Sequence, residues 1–191
     1  LLNNDGSGRF TDVTFQSGLG DHAFPSHTAG WADYDNDGWL DVVITRINSS
    51  ALLLHNEGDK TFAEAGMALG INLENMLDAK NPVWFDFDED GDQDLYIAGM
   101  GVHVFYENRV NEGLGFTDIT DPLGLNSLTG DPPTVFAAIA ADFDQDGHED
   151  LYLGRWGYQD HVLFSDGNGN LQALGPEAGL DAVADDPSRP W

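Results

Sequence analysis

The chain has no cysteine, and only seven of its 191 residues are lysine or arginine. With no disulfide to staple it, a bound metal is the expected substitute, and redox compartment cannot be read from cysteine usage. The shortage of bases excludes a nucleic-acid surface, because such surfaces are built from lysine and arginine contacts to phosphate. It argues against binding to an anionic membrane face for the same reason. No apolar run reaches 18 residues, so no inserted helical span is expected. No signal peptide is visible, and the chain opens on Leu1-Leu2-Asn3 in what reads as the middle of a repeat. His-Glu-x-x-His and Gly-x-Ser-x-Gly are both missing, so the zinc-hydrolase helix and the nucleophile elbow are not predicted. Helical patterning is scarce too. Its best stretch, Leu73 to Ala79, is short and polar.

Acid is what the chain has in excess. Its 34 aspartates and glutamates give a formal net charge of −27. Fifteen of these acids fall in one nine-residue phrase written three times, twelve of them at the same four positions. The copies are Asp33-Tyr-Asp35-Asn-Asp37-Gly38-Trp39-Leu-Asp41, Asp86-Phe-Asp88-Glu-Asp90-Gly91-Asp92-Gln-Asp94 and Asp142-Phe-Asp144-Gln-Asp146-Gly147-His148-Glu-Asp150. Each places carboxylates at positions 1, 3, 5 and 9 and glycine at position 6. Alternate residues of a tightly curled loop face inward, so positions 1, 3 and 5 converge, and the glycine permits the reversal. The carbonyl at position 7 (Trp39, Asp92, His148) can then face a cation, and the position-9 aspartate can close the shell. Such an oxygen set suits Ca2+, which takes about 6–8 oxygens, better than Mg2+, which keeps its waters in a tight octahedron. Three Ca2+ sites are therefore expected. They are not EF-hands, because position 12 is Ile44, Ile97 or Leu153 rather than glutamate. Strand-like runs follow each loop: Leu40-Asp-Val-Val-Ile, Leu95-Tyr-Ile-Ala and Leu151-Tyr-Leu-Gly.

A second phrase alternates with the first. An apolar strand, an Asn/Asp/Gly turn and another strand recur at Leu2 to Val13, Leu54 to Glu64, Tyr106 to Ile119 and Phe164 to Leu171. Each reads as a β-hairpin, followed by a small-residue Gly-Leu connector. The acidic loops are spaced 53 and 56 residues apart. Each period holds about four strands: one entering the loop, one leaving it, and the hairpin pair. An all-β chain of four-stranded antiparallel units repeated in this way predicts propeller-type blades, with the Ca2+ loop between the first two strands. The expected units are about 1–52, 53–104 and 105–162, a partial unit at 163–183, and an acidic, proline-bearing tail at 184–191. The insert from Asn126 to Thr134 reads as a loop.

These phrases resemble the FG-GAP/VCBS repeat family, the calcium-bearing propeller repeats also found in the integrin α headpiece and in many secreted bacterial proteins. The residues carrying the resemblance are Trp31-Ala-Asp33 through Asp41-Val, its two partners and the intervening hairpins. The resemblance covers about residues 1–181. It implies side-chain ligation from positions 1, 3, 5 and 9 and carbonyl ligation from position 7. The number of units departs from it. Propellers close with about 4–8 blades, and about three and a half are present here. Open repeat ends favour head-to-tail association.

Other candidates are weaker. Of the six histidines, His148 is expected to lend its carbonyl, and His55, His103 and His161 to sit on or beside third strands. Trp31 and Trp84 precede their loops by the same interval and are expected between blades. Trp156 and Tyr158 lie on a loop where they can stack on a sugar or a protein partner. The predicted function is a non-catalytic, calcium-stabilised extracellular scaffold for binding, adhesion or assembly, with a protein or glycan ligand. The alternatives are the propeller part of a secreted carbohydrate-active enzyme, or a filament subunit assembled through its open ends.

Overall fold

The computed structural model describes residues 1–22, 25–73, 76, 78–129 and 134–174, with the side chains of 21 and 22 excepted. The Gly-Leu connector after the fourth hairpin and the tail expected at 184–191 lie outside the described residues.

Strands β1 (Leu2–Asn4) and β2 (Phe10–Asp12) form a two-stranded antiparallel ribbon. Three four-stranded antiparallel meanders follow. The first holds β3 (Ser26–Ala32), β4 (Asp41–Arg46), β5 (Ser49–Asn56) and β6 (Phe62–Glu64). The second holds β7 (Ala79–Phe85), β8 (Asp94–Gly99), β9 (Val104–Arg109) and β10 (Gly115–Asp118). The third holds β11 (Val135–Ala141), β12 (Asp150–Arg155), β13 (His161–Ser165) and β14 (Leu171–Leu174). This is the all-β, propeller-like repeat that the alternating phrases predict. Each sheet begins with the strand entering an acidic loop, so sheet boundaries fall after β6 and β10 rather than near residues 52 and 104. Hydrogen bonding keeps each hairpin with the loop-bearing strands before it.

The sheets stack in chain order, with β7 packed against both β3 and β11. One core layer lies between the first two sheets and includes Tyr34, Val43, Leu53, Leu95, Ile97 and Tyr106. A second lies between the next two and includes Phe85, Phe87, Tyr96, Phe105, Leu151 and Leu153. Adjacent residues of β8 therefore serve different layers, Tyr96 facing forward and Leu95 and Ile97 back, as the period-2 pleat requires. Phe87 and Phe105 meet edge to face at 4.9 Å, a favoured aromatic geometry. Gly30 lets β3 approach β7 closely: a Cβ there would stand 3.1 Å from the Pro82 ring.

Two expectations change. Residues Leu125–Thr129 of the presumed insert loop form a short helix, α1, and Leu19–His22 a single 3-10 turn. Leu125 is buried in the second core layer, and that burial holds the turn of helix in place. The short, polar stretch from Leu73 carries no predicted helix; Ala79 at its end opens β7, and residues 74, 75 and 77 lie outside the described set. Trp84 stacks on Tyr34, as an inter-blade residue should. Trp31 instead stays 44% exposed against Phe62, because among the described residues no four-stranded sheet covers the outer face of β3.

His103 is a packing residue with a chemical consequence. It is buried, with Tyr96 Oη 2.8 Å from Nδ1 and Thr129 Oγ1 3.0 Å from Nε2. The Thr129 hydroxyl donates to Leu125 O. Nε2 therefore carries the hydrogen, and Nδ1 accepts from Tyr96. Burial pushes the imidazole down to about 4. The unfolded chain binds this proton near pH 6.5 and the folded chain does not, so the stabilising difference is present above that pH and is lost as pH falls toward the folded value. From pH 7 to 5, His103 should remove about 2 kcal/mol of stability. Urea unfolding of the wild type and His103→Asn over that range will show a flatter profile in the variant.

Candidate metal centres

Each acidic phrase forms the connection from the first to the second strand of its sheet. Loop 1 (33–41) joins β3 to β4, loop 2 (86–94) joins β7 to β8, and loop 3 (142–150) joins β11 to β12. The backbone turns at two fixed points. Position 4 is left-handed at Asn36, Glu89 and Gln145, with φ of 57°, 58° and 65°. Position 6 is left-handed at Gly38, Gly91 and Gly147, with φ of 93°, 95° and 102°. Glycine adopts this region without the Cβ penalty.

The curl closes around position 1. Asp33 accepts from Asp37 N at 3.0 Å and Gly38 N at 2.9 Å. Asp86 accepts from Gly91 N at 3.0 Å, and Asp142 from Gly147 N at 3.1 Å. Position 5 accepts the position-7 amide in every copy: Trp39 N to Asp37, Asp92 N to Asp90 and His148 N to Asp146, at 2.8–2.9 Å. Carboxylate oxygens of Asp86, Asp88 and Asp90 come within 4.8 Å of one another, as do those of Asp142, Asp144 and Asp146. In loop 1 the converging sets are Asp33, Asp35 and Asp41, and Asp35, Asp37 and His55. The side chains expected at positions 1, 3 and 5 are thus brought together in loops 2 and 3. In loop 1 they fall into two overlapping groups.

Position 9 does something the spacing did not reveal. Asp41, Asp94 and Asp150 are almost fully buried. One oxygen of each accepts the position-2 amide (Tyr34, Phe87, Phe143) at 2.8–3.2 Å. The other accepts an amide at the end of the third strand (Asn56, Asn108, Ser165) at 2.8–2.9 Å. One carboxylate therefore ties the loop entrance to the third strand. Burial pushes the Asp94 carboxyl up to about 8, with Asp88 and Asp90 adding to the rise. Burial followed by neighbouring acids raises Asp35 and Asp88. Asp35 Oδ1 and Asp86 Oδ1 are shut off from solvent without a hydrogen-bond partner. Loop 3 is open to water, because no further sheet stacks on it among the described residues.

A model of the FG-GAP-like repeat matches residues 33–97 and, overlapping, residues 86–153. The chain belongs to the FG-GAP-like repeat family. Each matched stretch of this FG-GAP-like chain runs from position 1 of one loop through the next loop into its exit strand. Cartilage acidic protein 1 of Homo sapiens is 27% identical over 121 residues, and that of Mus musculus 26%. The aligned residues are 62% of this chain but 17% and 18% of those relatives, so the chain spans under a fifth of their length. A solved structure of an Agrocybe aegerita lectin, described as specific recognition of non-reducing terminal N-acetylglucosamine, aligns with a TM-score of 0.49 at 18% identity. It covers 90% of this chain and 45% of that one.

Neighbouring FG-GAP-like loops also touch through residues that counting acids had passed over. Asn36 Nδ2, at position 4 of loop 1, donates to Asp92 Oδ1, at position 7 of loop 2, at 2.7 Å. Glu89, at position 4 of loop 2, pairs with the His148 ring at position 7 of loop 3. This contact and the proximity of other acids raise the His148 pKa. Asn108 Nδ2 donates to Tyr34 O and Ser165 Oγ to Phe87 O, each crossing from one sheet to the one before. The recurrence of Asn56 and Asn108 after an apolar third strand was the available signal.

The brace at position 9 can be separated from any metal role. Asp94→Ala strands two buried amides, at about 1–3 kcal/mol each. In EDTA it should lose about 3–5 kcal/mol by urea unfolding, whereas exposed Asp90→Ala should lose under about 1. Equal losses would show that the brace contributes nothing special.

Proposed function

We propose that this chain is a calcium-stabilised, non-catalytic extracellular repeat scaffold whose faces bind a protein or glycan partner. The observation carrying this reading is the repeated convergence of carboxylates within 4.8 Å in loops built from three copies of one phrase. Like charges that close repel strongly unless a cation lies between them. The donor set fits a hard dication: the position 1, 3 and 5 side chains are carboxylates, and Asp35 and Asp86 each hold a buried oxygen with no other partner. Asp33, Asp35, Asp37 and Asp41 would hold the ion in loop 1, with the Trp39 carbonyl. Asp86, Asp88, Asp90 and Asp94 with the Asp92 carbonyl would do so in loop 2, and Asp142, Asp144, Asp146 and Asp150 with the His148 carbonyl in loop 3. Membership of the FG-GAP-like family and the resemblance to a protein named for cartilage support the extracellular placement.

Extracellular modules bind Ca2+ with Kd of about 10⁻⁴–10⁻³ M. At tenfold excess each site adds roughly 1.4 kcal/mol. Three sites then supply several kcal/mol, against a typical domain stability of about 5–15 kcal/mol. Calorimetry should count three Ca2+ per chain, and one fewer in Asp86→Asn. Exhaustive chelation should lower Tm by 10 °C or more, on the order of 2–4 °C or above per kcal/mol. An unchanged melting curve in EDTA would defeat the structural role for calcium.

Self-association is the second reading, and one comparison favours it. The position-2 aromatics Tyr34 and Phe87 are 3% exposed beneath the following sheet, while Phe143 is 45% exposed. Ile139 on the same side of the third sheet is exposed as well. The surface that covers such a face elsewhere in this chain is the back of another sheet. A second copy offers one at β3 and β4, around the exposed Trp31. Light scattering should show a concentration-dependent rise in mass that Phe143→Asp abolishes. A constant monomer mass at all concentrations excludes it.

A further inference from the structure

Loop 1 has an imidazole nitrogen beside its acids at a register position where loops 2 and 3 have none. Each third strand sets one side chain immediately before the residue whose amide binds the position-9 carboxylate. Those amides belong to Asn56, Asn108 and Ser165, so the preceding side chains are His55, Glu107 and Phe164. At one register position the three third strands thus carry an imidazole, a carboxylate and a phenyl ring. In loop 1 the imidazole stands against the acids. His55 Nδ1 lies 3.1 Å from Asp41 Oδ1 and 3.4 Å from Asp35 Oδ2. With Asp35 and Asp37 it forms one group of ligand atoms, all within 4.8 Å of one another. Nδ1 is shut off from solvent, and neither carboxylate contact has the alignment of a hydrogen bond. The Tyr34 ring meets the imidazole edge to face, 6.0 Å between centroids, and holds its plane.

Nitrogen is out of place around a hard cation. Ca2+ and Mg2+ take oxygen, while imidazole mixed with carboxylate suits first-row transition dications. A tetrahedral ion with bonds of about 2.0–2.1 Å spaces its donors roughly 3.2–3.5 Å apart. The 3.4 Å separation between His55 Nδ1 and Asp35 Oδ2 lies within that spacing. Resting on the reading of the loops as cation sites, we propose that loop 1 is a mixed-donor site selective for a transition dication of the Zn2+ class. His55 Nδ1, Asp35 and Asp37 are its ligands. Loops 2 and 3 keep all-oxygen sets. In Ca2+ alone, loop 1 takes Ca2+ through its acids; Zn2+ then displaces one Ca2+ of three.

Co2+ is the probe, because its visible absorption reports ligand type. The full chain, saturated with Ca2+, should bind one Co2+ with a band that Zn2+ abolishes. His55→Phe, which copies the loop 3 arrangement, should weaken Co2+ at least tenfold and leave Ca2+ binding at loops 2 and 3 intact. Phe164→His should create a second Co2+ site in loop 3. It decides the matter even if His55→Phe folds poorly. Long-range 15N spectra should show the His55 Nδ1 resonance displaced by Zn2+ and not by Ca2+. An imidazole that merely pairs with Asp41 leaves Co2+ affinity unchanged in His55→Phe, and that result overturns the proposal. Three calorimetric Ca2+ sites with no Co2+ displacement overturn it while the calcium reading stands. A Co2+ site without Ca2+ binding at loops 2 and 3 supports it and removes the calcium reading alone.

Discussion

One buried carboxylate per sheet holds the repeat together. Asp41, Asp94 and Asp150 each span two backbone amides, one at the loop entrance and one at the end of the third strand. A charge placed so deep is costly unless it is paired. The two amides supply part of that pairing, and a cation in the loop would supply the rest. The same side chain thus serves both the loop and the sheet, and Asp41 also lies within 4.8 Å of the Asp33 and Asp35 carboxylates. The loop's conformation and the sheet's hydrogen bonding depend on each other through it.

The stack extends this coupling from sheet to sheet. Asn108 and Ser165 fasten the end of a third strand to the position-2 carbonyl of the preceding loop. Asn36 and Glu89 reach from position 4 of one loop to position 7 of the next. Both contacts repeat at both sheet interfaces, so they belong to the repeat and not to chance packing. They act beside core layers in which Tyr34 and Phe87 are buried by the following sheet. Position 2 is therefore an inter-sheet residue, although it sits inside an acidic loop.

The spacing of aspartates, the position-6 glycines and the period-2 apolar runs were enough to read sheet order, hairpins and loop placement. Each of these is a local property: a turn needs its glycine, and a strand needs its alternation. The candidate ligands at positions 1, 3 and 5 were legible for the same reason, since they lie within five residues of one another. Helix α1 was missed because its five residues carry no periodicity of their own and are held by the burial of Leu125. The expected burial of Trp31 failed because burial depends on which sheet stacks on that face.

What the sequence determined by itself is the curled acidic loop between two strands, because backbone freedom and charge spacing act over a few bonds. What only the tertiary structure decided is who meets that loop. His55 lies beyond the second strand and reaches its loop only once the third strand pairs back. The position-9 carboxylate becomes a brace only when an amide some fourteen or fifteen residues downstream arrives beneath it. Contacts across that separation are set by sheet register and stacking, which no local pattern of residue types contains.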